Sequence, residues 1–127
     1  MDSRPHFTVN RRLVILLPKQ PFLDWLLATD EDTSATLTLA DLRRDPEVYL
    51  VPEKAGELPE DVEKWVYKRW RGLFEHLLHS WYTDESAWPQ DRDLKLFKHW
   101  VEVQCFTFVW DLAGDQPIEI EDWDEYD

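Results

Sequence analysis

The sequence predicts one α+β domain, with a small sheet of three or four strands packed against one long helix and two or three short helices. Three segments support this prediction. An uninterrupted aliphatic run spans Leu13 to Leu17, residues 60–81 repeat apolar side chains at helical spacing, and residues 100–110 alternate with a period of two. At 127 residues, the chain has room for one hydrophobic core.

The N-terminal part of the chain is predicted to form a strand followed by short helices. Leu13 to Leu17 contains only β-branched and aliphatic residues and is closed by Pro18, which is typical of a central strand buried on both faces. Pro21 suits the first turn of a helix, and we expect that helix to end near Thr29. Thr38 can cap a further turn of helix.

The middle of the chain is predicted to contain a second strand and the long helix. Glu47 to Val51 is typical of a short strand, which Pro52 stops. The helix from about Glu60 to Trp81 has an apolar stripe, formed by Val62, Val66, Trp70, Leu73, Phe74, Leu77 and Trp81. Arg69 falls on this stripe, where its stem can pack while its charge reaches solvent, or where it can pair with a carboxylate.

The C-terminal part is predicted to contain a short helix and a third strand. Asp91 or Asp93 can cap the helix. Trp100 to Trp110 alternates as a strand does, half solvated at its start and more buried toward its end. This strand is expected in the core or at a subunit interface. Ile118 to Glu121 is a candidate edge strand. Because two helices separate successive strands, parallel or mixed pairing is left open.

Negative charge is concentrated at the C-terminus. The formal net charge is -13, and eight acidic residues follow Trp110 without one Lys or Arg: Asp111, Asp115, Glu119, Glu121, Asp122, Asp124, Glu125 and Asp127. We therefore divide the chain into a globular domain, residues 1–112, and an acidic tail, residues 113–127. Such a tail is either a solvated terminus or an element that binds a partner.

The composition argues against several classes of function. Cys105 is the only cysteine, so no internal disulfide can form, and we expect a buried, inert thiol in a reducing compartment. Three widely spaced glycines form no phosphate-binding loop, and the negative charge opposes direct nucleic-acid binding. No apolar run is long enough to cross a membrane. We expect a cytoplasmic protein without catalytic residues, cofactor or metal.

Aromatic residues are the main candidates for partner binding. Trp81 and Trp88 flank a loop, where they either anchor the loop to the core, the favoured interpretation, or contact a partner. Trp123 and Tyr126 lie beside Asp122 in the acidic tail, where they are candidate anchors for a basic groove on another protein.

A weaker candidate is a small-molecule or metal site near Arg69, His76 and Trp88. Glu75 and His79 have the i,i+4 spacing that places two metal ligands on one helix face. However, both fall on the polar side of the predicted helix, whereas His76 lies at the margin of the apolar stripe. The three side chains therefore do not converge as the ligands of an HExxH site do.

Several segments resemble a group of small acidic proteins from proteobacteria. They are Pro18 to Trp25 (PKQPFLDW), Val48 to Pro52 (VYLVP), Trp81 to Asp84, the WP-x-x-R pattern of Trp88 to Arg92, and Phe97 to Trp100. The resemblance extends from about Thr8 to Leu112. It implies one cytoplasmic bacterial domain and provides no activity or catalytic residue to carry over.

We therefore expect a non-enzymatic protein that binds another protein with a basic surface, through acidic residues that steer the partner and aromatic residues that anchor it. Mimicry of nucleic-acid charge is a narrower and weaker form of this hypothesis. The alternative is the small-molecule or metal site near Arg69, His76 and Trp88. A homo-oligomer is left open.

Overall fold

The α+β class is confirmed by a computed structural model, which describes residues 7–113 and 115–121. The elements in chain order are β1 (Phe7–Thr8), β2 (Arg11–Pro18), α1 (Gln20–Thr29), α2 (Leu39–Arg43), β3 (Glu47–Pro52), α3 (Pro59–Lys68), α4 (Trp70–Trp81), α5 (Leu94–Trp100), β4 (Val101–Phe106) and β5 (Trp110–Asp111). Two short 3-10 turns, Glu53–Ala55 and Glu85–Ala87, follow β3 and α4. None of the described helices is long and apolar enough to span a membrane.

The strand β2 is central, as predicted, in a three-stranded sheet of order β3-β2-β4. It is not buried on both faces, because Leu13 and Ile15 are only partly buried. Both neighbours are antiparallel to it, which determines the pairing direction that the sequence left open. Leu16, near the end of β2, is paired with Glu47, the first residue of β3. The two helices between these strands thus return the chain to the end of the sheet at which β2 finishes, and β3 runs in the opposite direction.

The predicted long helix is interrupted at Arg69. This residue has φ -117° and ψ 24°, outside the helical region, and it separates α3 from α4. The helix α3 packs against β4, whereas α4 packs against α5. Each helix buries its own apolar side chains against a different element. The break at Arg69 allows the two helices to point in different directions. Neither proline nor glycine marks the break in the sequence.

The hydrophobic core lies between one face of the sheet and the helices. Its fully buried large side chains include Leu16 of β2, Phe22 and Leu26 of α1, Leu42 of α2, Val62 and Val66 of α3, Phe74, Leu77 and Leu78 of α4, and Phe97 of α5. The ring of Trp100 connects α1 with α4, because its centroid lies 6.0 Å from that of Phe22 and 6.0 Å from that of Phe74. The core therefore joins every described helix to the sheet.

The C-terminal strands are shorter than predicted. The expected burial toward the end was also wrong, because exposure rises from 3% at Val101 to 44% at Phe106 and 56% at Trp110. The strand β4 ends at Phe106, and β5 pairs with β1 in a separate two-stranded sheet. Thr8 is paired with Trp110 and Leu13 with Phe106. Four residues lie between Thr8 and Leu13 but only three between Phe106 and Trp110, so the N-terminal segment has one extra residue, as in a β-bulge. The edge strand predicted at 118–121 is not formed, and the prediction was wrong because those exposed residues pair with no described strand.

A candidate interaction surface

The central sheet has one face that packs on the core and one that does not. Val14 of β2 is paired with Tyr49 and Cys105. All three belong to the hydrophobic core described above, called the core cluster below, or pack against it. Side chains alternate between faces along a strand, so the intervening residues form the opposite surface. This surface, called the open face below, consists of Leu13, Ile15, Leu17, Val48, Leu50, Glu102, Gln104 and Phe106.

The open face is apolar although much of it is accessible. Val48 is 52% exposed, Leu50 48% and Phe106 44%, and none of the three packs against the core cluster. Only Glu102 and Gln104 among the eight residues are polar. An antiparallel sheet with one solvated face normally alternates apolar residues with polar ones. The open face therefore resembles a surface that is covered by another molecule.

Exposed aromatic residues continue beyond β4. Phe108 is 81% exposed and Trp110 56%, and they alternate with the less exposed Thr107 and Val109. A large aromatic side chain offers about 150–250 Å², so the exposed fractions of Phe106, Phe108 and Trp110 together amount to roughly 400 Å². These side chains extend the exposed apolar surface of the chain past the end of β4.

An ion pair between α2 and β4 lies at one end of the open face. Arg43 Nη2 lies 2.6 Å from Glu102 Oε1, and Arg43 Nη1 donates to the carbonyl oxygen of Pro18 at 3.0 Å. Gln104 Nε2 donates to the other carboxylate oxygen, Oε2, at 2.9 Å. The hydrogen bond from Arg43 holds the pKa of Glu102 below its usual range. The single carboxylate of the open face is thus already paired.

The structure places Trp81 and Trp88 at different depths. Trp88 is buried, and its Nε1 donates to the carbonyl oxygen of Tyr82 at 2.7 Å. It anchors the loop to the core and offers no accessible ring to a partner. Trp81 is half-buried and packs against the core cluster. The tail candidates Asp122, Trp123 and Tyr126 lie outside the described residues, so their role stays a prediction.

The candidate ligand residues Arg69 and His76 are engaged in separate local contacts. The guanidinium carbon of Arg69 lies 4.0 Å from the ring centroid of Trp65. His76 Nδ1 and the hydroxyl of Tyr49 are 2.7 Å apart in a hydrogen bond. Arg69 is exposed rather than on the apolar stripe, because the helix is broken at this residue. No described contact joins either side chain to Trp88, which is turned toward the core.

In the described part of the chain, neither a metal-ligand cluster nor the depressions beside the 3-10 turn Glu53–Ala55 bring Arg69, His76 and Trp88 together. Among residues 7–113 and 115–121, no cluster of three or more His, Cys, Asp or Glu is arranged to hold a metal ion. Two depressions of about 560 Å³ lie beside the 3-10 turn Glu53–Ala55, and both are open to solvent. Arg69, His76 and Trp88 line neither of them. The geometry therefore does not favour the small-molecule or metal site.

Arg92 has a structural role that the sequence pattern alone did not reveal. Its Nη2 lies 2.8 Å from Glu75 Oε2, and its Nη1 donates to the carbonyl oxygen of Pro89 at 2.8 Å. The guanidinium carbon also lies 5.6 Å from the ring centroid of Trp88. Glu75, considered above as a metal ligand, is thus the ion-pair partner that helps to hold the WP-x-x-R segment against α4.

Comparisons with known protein families, with curated proteins and with solved structures find no match. The resemblance to small acidic proteobacterial proteins therefore stays a prediction. Any functional proposal depends on the chemistry of the described surfaces, chiefly the open face and the exposed C-terminal residues 115–121.

Proposed function

We propose that this protein is a non-enzymatic protein-binding module that captures a partner with a basic surface through its acidic and apolar C-terminal segment. One observation carries the proposal. Ile118 is 70% exposed and Ile120 95%, and they alternate with the exposed carboxylates of Glu119 and Glu121. Large apolar side chains are favoured at the centre of protein interfaces, where they are removed from water.

The alternating pattern suits recognition in an extended conformation. A peptide that adds a strand to the edge of another protein's sheet forms main-chain hydrogen bonds, and its alternate side chains enter pockets. Ile118 and Ile120 would then occupy apolar pockets, while Glu119 and Glu121 face lysine or arginine residues on the partner. The predicted anchors Asp122, Trp123 and Tyr126 would extend the same contact, and the net charge of -13 would steer a basic partner toward it.

The test is affinity capture from a lysate of the source cell, with the full-length protein and a variant lacking residues 115–127 compared at low and moderate salt. We expect a protein with a basic surface to be retained by the full-length chain and lost with the deletion. Added salt should weaken the retention because exposed charges are screened. Equal retention by both proteins would contradict the proposal.

Two further variants separate the apolar contribution from the electrostatic one. Ile118→Ser with Ile120→Ser should reduce capture at every salt concentration, because it removes apolar contact area. Glu119→Gln with Glu121→Gln should reduce capture mainly at low salt. The control is Leu27→Ser, which changes an exposed apolar residue on α1 and should leave capture unchanged. Capture that is insensitive to both double substitutions would refute the role of this segment.

A further inference from the structure

We propose that the open face is a homodimer interface, on which a second copy of this chain packs its own open face. This inference does not depend on the proposed capture of a basic partner, since it concerns a different surface. In such an arrangement the two three-stranded sheets pack face to face, about 10 Å apart, as in a β-sandwich. The contact is isologous, because each copy contributes the same residues.

The available area fits the centre of a stable dimer interface. A standard interface buries about 800 Å² on each partner. Half-exposed Val48, Leu50 and Phe106 lie on the open face itself, and the exposed rings of Phe108 and Trp110 follow Phe106 along the chain. The fully buried centre of a homodimer interface is more apolar than the average surface, with a polar rim around it. Arg11 at one end of the open face and the Arg43–Glu102 pair at the other provide polar margins.

The charge distribution favours a second copy over a basic protein as the occupant. The middle of the open face carries no charged residue, and Glu102 at its end is paired with Arg43. A basic partner would bury lysine or arginine against leucine, valine and phenylalanine, which is unfavourable. A second copy buries apolar residues against apolar residues. Eight of the thirteen net negative charges follow Trp110, so the repulsion between copies originates largely outside the open face.

The described part of the C-terminal tail does not occupy this surface. Ile118 and Ile120 are its large apolar residues, and both remain exposed while Val48, Leu50 and Phe106 also remain exposed. Had this segment folded back on the open face, both sets of side chains would be buried together. The described residues of this segment therefore leave the open face accessible to a second copy of the chain.

The first measurement is the molar mass of the full-length protein by light scattering or sedimentation equilibrium over a wide range of concentration. We expect association to twice the monomer mass of 15.3 kDa. Moderate salt should maintain or strengthen the dimer, because it screens the repulsion between acidic chains without weakening apolar contact. A monomer at every concentration, or a dimer that salt dissociates, would overturn the proposal.

Substitutions locate the interface. Leu50→Glu and Phe106→Glu each place two carboxylates per dimer in an apolar contact, so we expect dimerisation to weaken by more than about 100-fold. The matched control is Leu58→Glu, an exposed leucine at the start of α3 and outside the open face, which should dimerise normally. Far-ultraviolet circular dichroism checks that each variant is folded. Unchanged dimerisation of folded Leu50→Glu and Phe106→Glu would overturn the proposed interface.

If the glutamate variants do not fold, the smaller change Val48→Ser still tests the interface, since it removes apolar contact area and should weaken dimerisation measurably.

The variant lacking residues 115–127 distinguishes this interface from the capture segment. We expect it to remain dimeric, and its conversion to a monomer would instead assign self-association to the tail. Loss of partner capture by a variant that stays dimeric would leave this proposal intact and concern the capture segment alone.

Discussion

Arg92 illustrates how one side chain connects segments that are distant in the sequence. It bridges Glu75 on α4 and the carbonyl oxygen of Pro89 in the loop, beside the buried ring of Trp88. Lysine keeps the charge but lacks the planar fork that makes both contacts. We expect Arg92→Lys to lower the free energy of unfolding by about 2 kcal/mol, measured by urea denaturation. The control Arg71→Lys, at an exposed residue, should have little effect, and equal stability of both variants would contradict this role of Arg92.

Glu102 makes a pH-dependent contribution to stability. The hydrogen bond from Arg43 is the largest cause that lowers its pKa in the folded state. A lowered carboxyl pKa stabilises the fold above the unfolded-state pKa, and this contribution disappears as the pH falls through the folded-state value. Because the pair is partly exposed, we expect less than about 1 kcal/mol. The stability difference between the unmodified protein and Glu102→Gln should therefore be larger at pH 7 than in acid, and a constant difference would contradict it.

Cys105 should react slowly with alkylating reagents in the folded protein. Burial is the main cause that raises the pKa of its thiol to about 11, and the nearby charge of Glu63 adds to the effect. Roughly one thiol in 10⁴ is then ionised at pH 7, and the thiolate is the reactive form. Iodoacetamide should modify the native protein far more slowly than the urea-unfolded protein, as followed by mass spectrometry. Equal rates would show that this thiol is not protected by the fold.

The cap of α2 is a local feature that the sequence predicted correctly. The Thr38 side chain accepts from the backbone N–H of Asp41, and the Asp41 side chain accepts from the backbone N–H of Thr38. We expect Thr38→Ala to lower the free energy of unfolding by about 1 kcal/mol and Thr38→Ser to restore most of it. The control is Thr83→Ala in an exposed loop. Equal effects at residues 38 and 83 would rule out a specific role for the cap.

Local patterns predicted the elements whose causes are local. The cap at Thr38, the proline in the first turn of α1 and the aliphatic run of β2 all lie within a few residues of what they specify. For α5 the sequence offered Asp91 or Asp93 as the cap, and the structure selects Asp93. The break at Arg69 has no such local cause. It accompanies the packing of α3 and α4 against different elements, which periodicity along one segment does not encode.

The open face was missed for a related reason. The alternation of Val48, Tyr49 and Leu50 indicates that these residues face opposite sides of a sheet, but both sides carry large apolar or aromatic residues. Which side is covered depends on where the helices pack. They pack on the side that carries Val14 of β2, Tyr49 of β3 and Cys105 of β4. The sequence pattern therefore identified a strand and left its exposed side undetermined.

Phe74 and Phe106 lie on opposite sides of the central sheet. Phe74 is fully buried, with its ring centroid 5.5 Å from that of Phe97 and 6.0 Å from that of Trp100. Replacing it with alanine leaves a cavity at the junction of α4 and α5. We expect Phe74→Ala to lower the free energy of unfolding by about 3–5 kcal/mol at any protein concentration, measured by chemical denaturation.

The matching substitution Phe106→Ala should behave differently. In dilute protein we expect it to change stability by about 1 kcal/mol or less, because the side chain is half exposed in a single copy. If two copies pack through the open face, the thermal midpoint of the unmodified protein rises with concentration, since association stabilises the folded state by mass action. Phe106→Ala should flatten this dependence, whereas Phe74→Ala should lower the midpoint and keep the slope. The same dependence in both variants would show that association does not use the open face.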